Sequence, residues 1–400
     1  MVISKLNSRF FKSIKGCAFR LNYGFIAKMA GKLIQNVRGN GGSGEGSTGL
    51  DWKRLLRRGQ EQVVGLDIGS AAVKMVELQK TRSGWSVTAA GIADIASQPA
   101  GDNDGNEEIN TVRAINECLQ STKIETRLAV CGVCGPEVAV RPFKFPTLPL
   151  AEIEGAVLLE ASQVCPFNIE ESTVDYQVIP DGKEFVTGVL VAATNKLIGR
   201  KRQAAEKASL SNALMDVDGL ALLNCFNGYE KPKTGKTTAI LNVGNSYTNL
   251  AIMGDNNVPF VRDIAYAGDD IVKEIAGEKD ISPEAVIKLL SGGDDSSSAG
   301  LELGDSLGKA CAKLITDVTE TLRYYSAQEK SAAVEKIFVC GGFALAKGFV
   351  ELLDSKLATK AALWDPLGQE RCEGDSSCRD ILQKHGPAMT VAAGLAMRSI

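Results

Sequence analysis

The sequence has a single histidine, His385, no long apolar run and almost no net charge. One histidine leaves few ligands for zinc, because structural zinc sites need four. No stretch reaches the roughly eighteen consecutive apolar residues that a membrane-spanning helix needs. With 45 basic and 48 acidic residues, the chain as a whole makes no general case for nucleic-acid binding. The sequence therefore predicts a protein that is soluble or at most peripheral to a membrane.

Ten cysteines stand at irregular positions, and no secretion signal is evident. Many lie inside apolar runs such as IFVCGG (337–342), which is typical of small buried hydrophobes in a reducing compartment. Cys131 and Cys134 form a CxxC motif, but no second pair has matching spacing. Burial is the preferred interpretation of this pair, and zinc binding or redox chemistry is the alternative.

The first 38 residues contain eight basic residues interleaved with phenylalanine, isoleucine and leucine, and the first acid is Glu45. This pattern fits an amphipathic arm attracted to anionic lipid, an organelle transit peptide, or an upstream extension before a true start at Met29. The segment GNGGSGEGSTG (39–49) has the composition of a flexible linker. We expect residues 1–60 to be largely disordered.

One three-stranded pattern occurs twice, about 175 residues apart. Both copies have an apolar strand that ends in glycine, a polar turn and two further strands. The first copy is VVGLDIG (63–69), VKMVELQ (73–79) and WSVTAAGIADI (85–95), and the second is TAILNVG (238–244), TNLAIM (248–253) and VPFVRDI (258–264). The repeat predicts two similar lobes with a cleft between them.

Helical and strand-like patterns alternate through the rest of the chain, which predicts an α/β fold. EKIFVCGG (335–342) is predicted as a buried strand and 292–300 as a loop. The helices are predicted at 107–122, 150–165, 195–209, 269–277, 283–291, 306–330, 349–357 and 386–398, the last rich in small residues and packed on a sheet.

The turn after the first strand is the first candidate for chemistry. An acid at the strand end, Asp67, can hold a metal ion or its water near phosphates. Gly69 lets the backbone approach an anion, so the amides from Ser70 through Ala71 to Ala72 can form a donor cradle. Lys74 adds positive charge. Any strand may end in this way, so the turn alone is a weak signal.

Two further turns complete the pattern. Asn242–Thr248 repeats the shape of the first turn on the second copy. Cys340-Gly341-Gly342 leads from a strand towards a helix, where a planar base or a sugar could rest against bare backbone, although a tight strand–helix junction also explains it. Together, two matched turns followed by a glycine pair indicate a ligand-binding site much more strongly than any one of them does alone.

This order resembles the nucleotide-binding superfamily of actin, hexokinase and Hsp70. Within it, the chain from about residue 60 onwards is similar to the PilM family of type IV pilus assembly proteins, an FtsA/actin-like family. The segments with this similarity are DIGSAAVKMVEL, QVCPFNIEESTVDYQVI, VAATNKLIGRKRQAAEKASL, MDVDGLALLNCF, LNVGNSYTNLAIM, YAGDDI and FVCGGFALAKGF.

The resemblance implies an actin-like, ribonuclease H-like duplicated two-lobe fold with an FtsA-type insertion. Residues 61–145 and 380–400 would form the first lobe (subdomain 1A), 146–217 the inserted subdomain 1C, and 218–379 the second lobe (subdomains 2A and 2B). It also implies ATP and Mg²⁺ in the cleft, the metal near Asp67 and Asn242, directly or through water. The nucleotide-binding residues would be Asp67, Gly69, Ser70, Ala71, Lys74, Gly244, Asn245, Thr248, Gly268, Glu284, Lys288, Gly341, Gly342 and Lys347.

Some of these residues have a structural alternative or depart from the family pattern. Glu284 and Lys288 are equally explained as an exposed i,i+4 pair. Asn242 replaces the usual aspartate and brings no negative charge to a metal. Asp218 occupies the position of a glutamate that orients the attacking water, but it is shorter and is followed by Gly219 instead of a common proline; it could equally be a helix N-cap. We expect ATP binding with at most slow hydrolysis.

By the same resemblance, the protein is expected to act as a cytoplasmic scaffold, peripheral to the bacterial inner membrane. Its partner would be the tail of a PilN-like protein, with other platform proteins and motor ATPases as further candidates, in a homo-oligomer or ring. Val138, Val140 and Phe143 lie in the region of the expected groove, although core packing is the preferred interpretation. The alternatives are an FtsA-like polymerising membrane protein, a small-molecule kinase and a related secretion-system protein.

Overall fold

A computed structural model describes residues 62–82, 84–96, 104–179, 184–230, 235–254, 258–292, 304–328 and 332–399. The predicted arm and linker (1–60) and most of the predicted loop (293–300) lie outside the described residues. The strands are β1 (Val64–Ile68), β2 (Ala72–Lys80), β3 (Trp85–Asp94), β4 (Leu128–Val133), β5 (Val138–Pro146), β6 (Ser172–Ile179), β7 (Phe185–Thr194), β8 (Ser211–Val217), β9 (Thr237–Val243), β10 (Thr248–Met253), β11 (Pro259–Ile264), β12 (Val334–Cys340) and β13 (Lys360–Leu363).

Helices follow or separate these strands, as the alternating pattern predicts. They are α1 (Asp104–Thr122), α2 (Leu150–Val164), α3 (Asn195–Lys207), α4 (Asp218–Tyr229), α5 (Gly268–Lys279), α6 (Pro283–Leu290), α7 (Gly304–Ala310), α8 (Ala312–Ser326), α9 (Phe349–Lys356), α10 (Ser376–His385) and α11 (Thr390–Ala396).

Two five-stranded sheets share one topology. Their strand orders are β3-β2-β1-β4-β8 and β11-β10-β9-β12-β13. In both sheets the first three strands of the unit pair antiparallel, and the two later strands add in parallel on the other side. The predicted duplication is therefore a duplication of structure, with one sheet in each lobe.

A third, antiparallel sheet of order β5-β7-β6 interrupts the first lobe. With α2 it encloses a small separate core that contains Phe143, Val157 and Leu190. The predicted limits of this insertion, 146–217, are wrong at both ends. β5 pairs with β7 from Val138 onwards, and β8 returns to the first sheet, where it pairs with β4. The insertion thus spans about 138–194.

The end of the chain returns to the first lobe earlier than residue 380. Cys372, Cys378 and Leu382 already belong to the first lobe's core. The small-residue helix α11 packs against β1 and α4, as predicted for the segment 386–398, although its first four residues form a 3-10 turn. A Cβ on Gly394 would overlap the backbone of Ala221, so only glycine permits this close approach.

Arg398 anchors the chain beyond α11. Its guanidinium donates two hydrogen bonds to the Asp216 carboxylate at the end of β8, with Nε–Oδ2 and Nη2–Oδ1 distances of 2.6 and 2.7 Å. The two residues are only 5% and 1% exposed. This buried bidentate pair joins residues 182 positions apart.

The helix predicted at 306–330 is two helices, because the chain bends at Cys311 between α7 and α8. The bend lies where the Tyr266 hydroxyl donates to the Ala310 carbonyl at 2.6 Å. A side-chain hydrogen bond to a helix carbonyl competes with the regular ladder and is a common cause of such a bend.

Candidate functional site

The turns after β1 and β9 have the same internal geometry. Gly69 N donates to Ala72 O at 3.0 Å, and Gly244 N donates to Tyr247 O at 3.1 Å. A Cβ on either glycine would lie 2.9 Å from that carbonyl oxygen. Glycine is therefore required for the same steric reason in both copies, and turns of this kind can present the backbone amides that follow to an anion.

The two turns meet across the cleft between the lobes. Ser246 Oγ donates to Ser70 Oγ at 2.8 Å, and Asn245 Nδ2 lies 3.3 Å from the same oxygen. The predicted opposition of the glycine turns is thus present in the fold. In this closed geometry the turns touch directly, so a phosphate chain between them requires the lobes to separate.

An ion pair lies beneath the first turn. Lys74 Nζ is 3.0 Å from Asp67 Oδ2, and the two side chains are only 17% and 12% exposed. Burial by itself lowers the pKa of Lys74, but the charge of Asp67 and its hydrogen bond outweigh burial and raise that pKa above its usual value. Lys74 is therefore held charged next to the turn.

The second copy has a neutral pair at the equivalent positions. The β1–β2 register pairs Asp67 with Lys74, and the β9–β10 register pairs Asn242 with Asn249. Asn242 Nδ2 donates to Asn249 Oδ1 at 2.8 Å. The asparagine noted in the sequence is thus one half of an amide pair that replaces an ion pair.

In the second lobe the carboxylate lies on the neighbouring strand, β11. Asp263 of β11 accepts from Asn249 Nδ2 at 2.8 Å and from the backbone N–H of Gly135 at 2.7 Å. Burial raises the pKa of Asp263, while these two hydrogen bonds oppose the rise. Gly135 has φ +97°, and its added Cβ would lie 3.1 Å from the Tyr247 ring of the second turn. This network joins the second lobe to the start of the inserted sheet.

Asp218, the first residue of α4, lies at the floor of the cleft. The N-cap interpretation is wrong, because the N-cap is Val217 and no side chain caps this helix start. Asp218 is 8% exposed, and its Oδ1 has no hydrogen-bond partner among the described residues. Burial, and next the charge of Asp67, raise the pKa of Asp218 to about 7. An unpartnered buried oxygen is suited to a water molecule or a ligand.

Two further residues border Asp218. The Lys201 ammonium donates to the carbonyl of Ile68 at the end of β1, and its charge opposes the rise in the pKa of Asp218. Burial, followed by the charges of Asp218 and Asp263, raises the pKa of Cys134 well above its usual value. No sequence motif singled out Lys201, and the CxxC motif indicated Cys134 only as a buried thiol or as half of a zinc or redox site.

The CxxC motif does not form a metal site in the described residues, where no group of three or more His, Cys, Asp or Glu side chains could hold a metal ion. Cys131 lies in β4 and is fully buried, as the preferred interpretation predicts. Cys134 follows the strand and adjoins the cleft.

The glycine pair lies directly behind the second turn. Gly341 has φ +95°, and an added Cβ would lie 2.7 Å from Asn242 Oδ1. Gly268 N donates to Gly244 O at 3.1 Å, and a Cβ there would lie 2.7 Å from the Phe343 ring. Lys347 N donates to Leu290 O at 2.8 Å, which joins the glycine segment to the end of α6.

Comparison with known proteins identifies the family. The family model for type IV pilus assembly protein PilM matches residues 65–400. The chain belongs to the PilM family.

Solved structures agree with a PilM-type fold. A PilM-PilN type IV pilus biogenesis complex is 23% identical, with a TM-score of 0.70, over 84% of this chain and 98% of that chain. Ethanolamine utilization protein EutJ from Carboxydothermus hydrogenoformans is 14% identical, with a TM-score of 0.50, over 84% and 88%. MreB 5 of Spiroplasma citri bound to AMPPNP is 15% identical, with a TM-score of 0.43, over 84% and 94%. Together with the duplicated five-stranded sheets, the first two of these structures confirm the predicted actin-like two-lobe fold.

Of three further predicted nucleotide-binding residues in this PilM-family chain, one is buried and two are exposed. Thr248 is fully buried, and its Oγ1 donates to Tyr266 O at 2.8 Å, so its side chain faces the core of the second lobe. Glu284 is exposed, and hydrogen bonds from its own backbone N–H and Ser282 lower its pKa, as for an acid in the first turn of a helix. Lys288 is exposed on the same helix.

Val140 and Phe143, 5% and 4% exposed, pack in cores of the PilM-family fold, which confirms the preferred interpretation of these residues. None of the helices in the described ranges combines the length and the apolar character that crossing a bilayer requires.

Proposed function

We propose that this PilM-family protein is an ATP-binding scaffold of the type IV pilus machine, in which the nucleotide holds the two lobes together. The main support is the meeting of two matched glycine turns at Ser70 and Ser246, above the unpartnered Asp218 oxygen. Donor cradles that face each other suit a chain of phosphates, because each lobe can bind one end of it.

The residues of the cleft fit a magnesium nucleotide in part. When bound, Mg²⁺ supplies positive charge that neutralises the phosphate oxygens. Asp67, with Asp218 nearby, provides hard oxygen ligands, directly or through water. Asn242 fits less well, since its amide oxygen brings no negative charge to a metal and already accepts from the Cys340 thiol at 3.9 Å. Lys74, held charged by Asp67, and the amides of the two turns would bind the phosphates themselves.

The same residues support slow hydrolysis at most. Orienting an attacking water requires a hydrogen-bond acceptor in line with the phosphate. Burial and the charge of Asp67 raise the pKa of Asp218 to about 7, so this carboxyl holds a proton at neutral pH more readily than an ordinary aspartate does. The Asn242–Asn249 pair offers no charge from the second lobe. Both features should weaken ATP hydrolysis more than they weaken ATP binding.

The partner is proposed from the related complex, whose name gives PilN as the protein bound by PilM. We propose that this chain binds the cytoplasmic tail of a PilN-like inner-membrane protein and is thereby held at the cytoplasmic face of the membrane. An extended tail can add main-chain hydrogen bonds beside a strand and place alternate side chains in pockets. Val140 and Phe143 are buried and do not provide those pockets.

Titration of the full-length protein with a fluorescent ATP analogue and Mg²⁺ tests nucleotide binding. Ser70→Glu places a negative charge at an exposed turn, and we expect at least tenfold weaker binding. Ser162→Glu, on the exposed face of α2, is the matched control and should bind like the parent. Equal binding by all three proteins, or no binding by the parent, would contradict the proposal.

Partner binding is tested separately, by fluorescence anisotropy of a labelled peptide with the sequence of the neighbouring PilN-like protein's cytoplasmic tail. We expect saturable binding by the parent and none of a scrambled peptide. Sedimentation with ATP in the absence of the peptide distinguishes a scaffold from an FtsA-like filament: pelleting filaments would favour the latter. Phosphate release faster than about one turnover per second, within the range of ordinary enzymes, would refute slow hydrolysis.

A further inference from the structure

Two buried thiols outside the cleft lie within reach of one another. The Sγ atoms of Cys372 and Cys378 are 3.1 Å apart, and the residues are 8% and 4% exposed. A disulfide bond is about 2.05 Å long. Bond formation therefore requires the two sulfurs to approach by only about 1 Å, which side-chain rotation can supply.

The backbone holds each thiol in place independently. Cys372 forms a β-bridge with Val87, and the next residue, Glu373, donates its N–H to Val87 O at 2.9 Å and accepts from Ser86 Oγ at 2.8 Å. Cys378 lies in the first turn of α10, where its N–H donates to Asp375 Oδ1 at 3.0 Å. Two thiols fixed by separate elements have lost most of the freedom that otherwise opposes their reaction.

The CxxC motif does not share this geometry. Cys131 lies in β4 and Cys134 just beyond its end, so the two are three residues apart on an extended chain, about 10 Å, and their side chains point to opposite faces. A disulfide needs Cα atoms about 4.4–6.8 Å apart. The pair that the sequence singles out cannot bridge in this fold, whereas Cys372 and Cys378, which are six positions apart, can.

We propose that Cys372 and Cys378 form a redox modification site, which closes to an intramolecular disulfide by exchange with a low-molecular-weight disulfide such as glutathione disulfide. One cysteine thiolate attacks a sulfur of the reagent, whose S–S bond breaks and releases one thiol. The second cysteine then attacks the mixed disulfide and releases the other thiol. The protein loses two electrons and two protons, and the reagent becomes two thiols.

The disulfide would fix a segment, residues 372–374, that covers one edge of the first sheet. β3 is the outer strand of the first sheet, and residues 372–374 lie along it through the Val87 and Ser86 contacts. An uncovered edge strand is a site for unwanted pairing with another chain. Closing the disulfide fixes this cover to α10, so oxidation should strengthen the first lobe without touching the cleft.

The test uses the full-length protein, incubated with glutathione disulfide at pH 8 and then alkylated. Burial raises the pKa of Cys378 to about 12, so we expect closure over hours, faster at higher pH. The expected product has two fewer alkylated thiols and a mass loss of about 2 Da before alkylation, with the bond mapped to the peptide that contains both cysteines. Cys372→Ser should abolish the bond, and Cys131→Ser, the matched control, should retain it.

A second measurement, the Tm, distinguishes a stabilising disulfide from accidental oxidation. The oxidised parent should unfold a few degrees higher than the reduced parent, and the oxidant should leave the Tm of Cys372→Ser unchanged. Full alkylation of every thiol after incubation, a glutathione adduct without closure, or a bond between other cysteines would each overturn the proposal.

Discussion

Replacing Arg398 by methionine leaves the Asp216 carboxylate buried without its partner. The two residues are 5% and 1% exposed, and two hydrogen bonds of 2.6 and 2.7 Å are lost together. Breaking a buried ion pair on one side costs about 3–5 kcal/mol. Unfolding entropy is about 2.1 cal/mol/K per residue, or roughly 0.7 kcal/mol/K for the approximately 340 residues between 62 and 399. The Tm of Arg398→Met should therefore fall by about 4–7 °C.

Differential scanning calorimetry of parent and variant measures this shift. Changing both partners, Asp216→Leu with Arg398→Met, should recover most of the loss, since no charge is then left buried. Lys236→Met breaks an exposed pair with Glu335, whose side chains are 54% and 47% exposed, and should lower the Tm by about 1 °C or less. A Tm of Arg398→Met within 1 °C of the parent would refute the argument that this pair anchors the first lobe.

Two further predictions concern the cleft. Because the pKa of Asp218 is raised to about 7, the folded state binds its proton more tightly than the unfolded state, and that stabilisation is lost as the pH rises from about 4 to 7. In urea denaturation at pH 8, Asp218→Asn should therefore have a higher free energy of unfolding than the parent, and this difference should become smaller towards pH 5. An equal difference at both pH values would contradict this. Gly341 has φ +95° and no room for a Cβ, whereas a Cβ on Gly342 would have no atom within 4 Å. By urea denaturation, Gly341→Ala should lower the free energy of unfolding by about 1–3 kcal/mol and Gly342→Ala by much less. Equal losses in the two variants would disprove the steric explanation.

The sequence predicted the elements well because apolar patterns and glycine turns are local signals. Strand register is not local, because it depends on which residues of two strands stand opposite one another. The family resemblance indicates Thr248 as a ligand, whereas the register places Asn249 opposite Asn242 and the Thr248 hydroxyl donates to Tyr266 O in the core. The limits of the insertion were misplaced for the same reason: β8 follows a helix in the chain but pairs with β4 across the first sheet.

The floor of the cleft was only partly predictable. Asp67, Lys74 and Asp218 stand within recognisable motifs, but Asp263 and Lys201 reach the cleft from elements whose own sequences look like an ordinary strand and helix. Only tertiary packing brings them next to Asp218 and Cys134. The amide pair replaces the ion pair without any change in the pattern of apolar residues, so periodicity could not reveal it.

Gly135 faces two parts of the second lobe at once, since its N–H donates to Asp263 and a Cβ added to it would lie only 3.1 Å from the ring of Tyr247. The inserted sheet begins three residues later, at Val138. The Gly135–Asp263 hydrogen bond therefore restrains separation of the two lobes. If the lobes separate, either this bond breaks or the first residues of the inserted sheet move with the second lobe. The angle between the lobes and the orientation of the inserted sheet are therefore coupled.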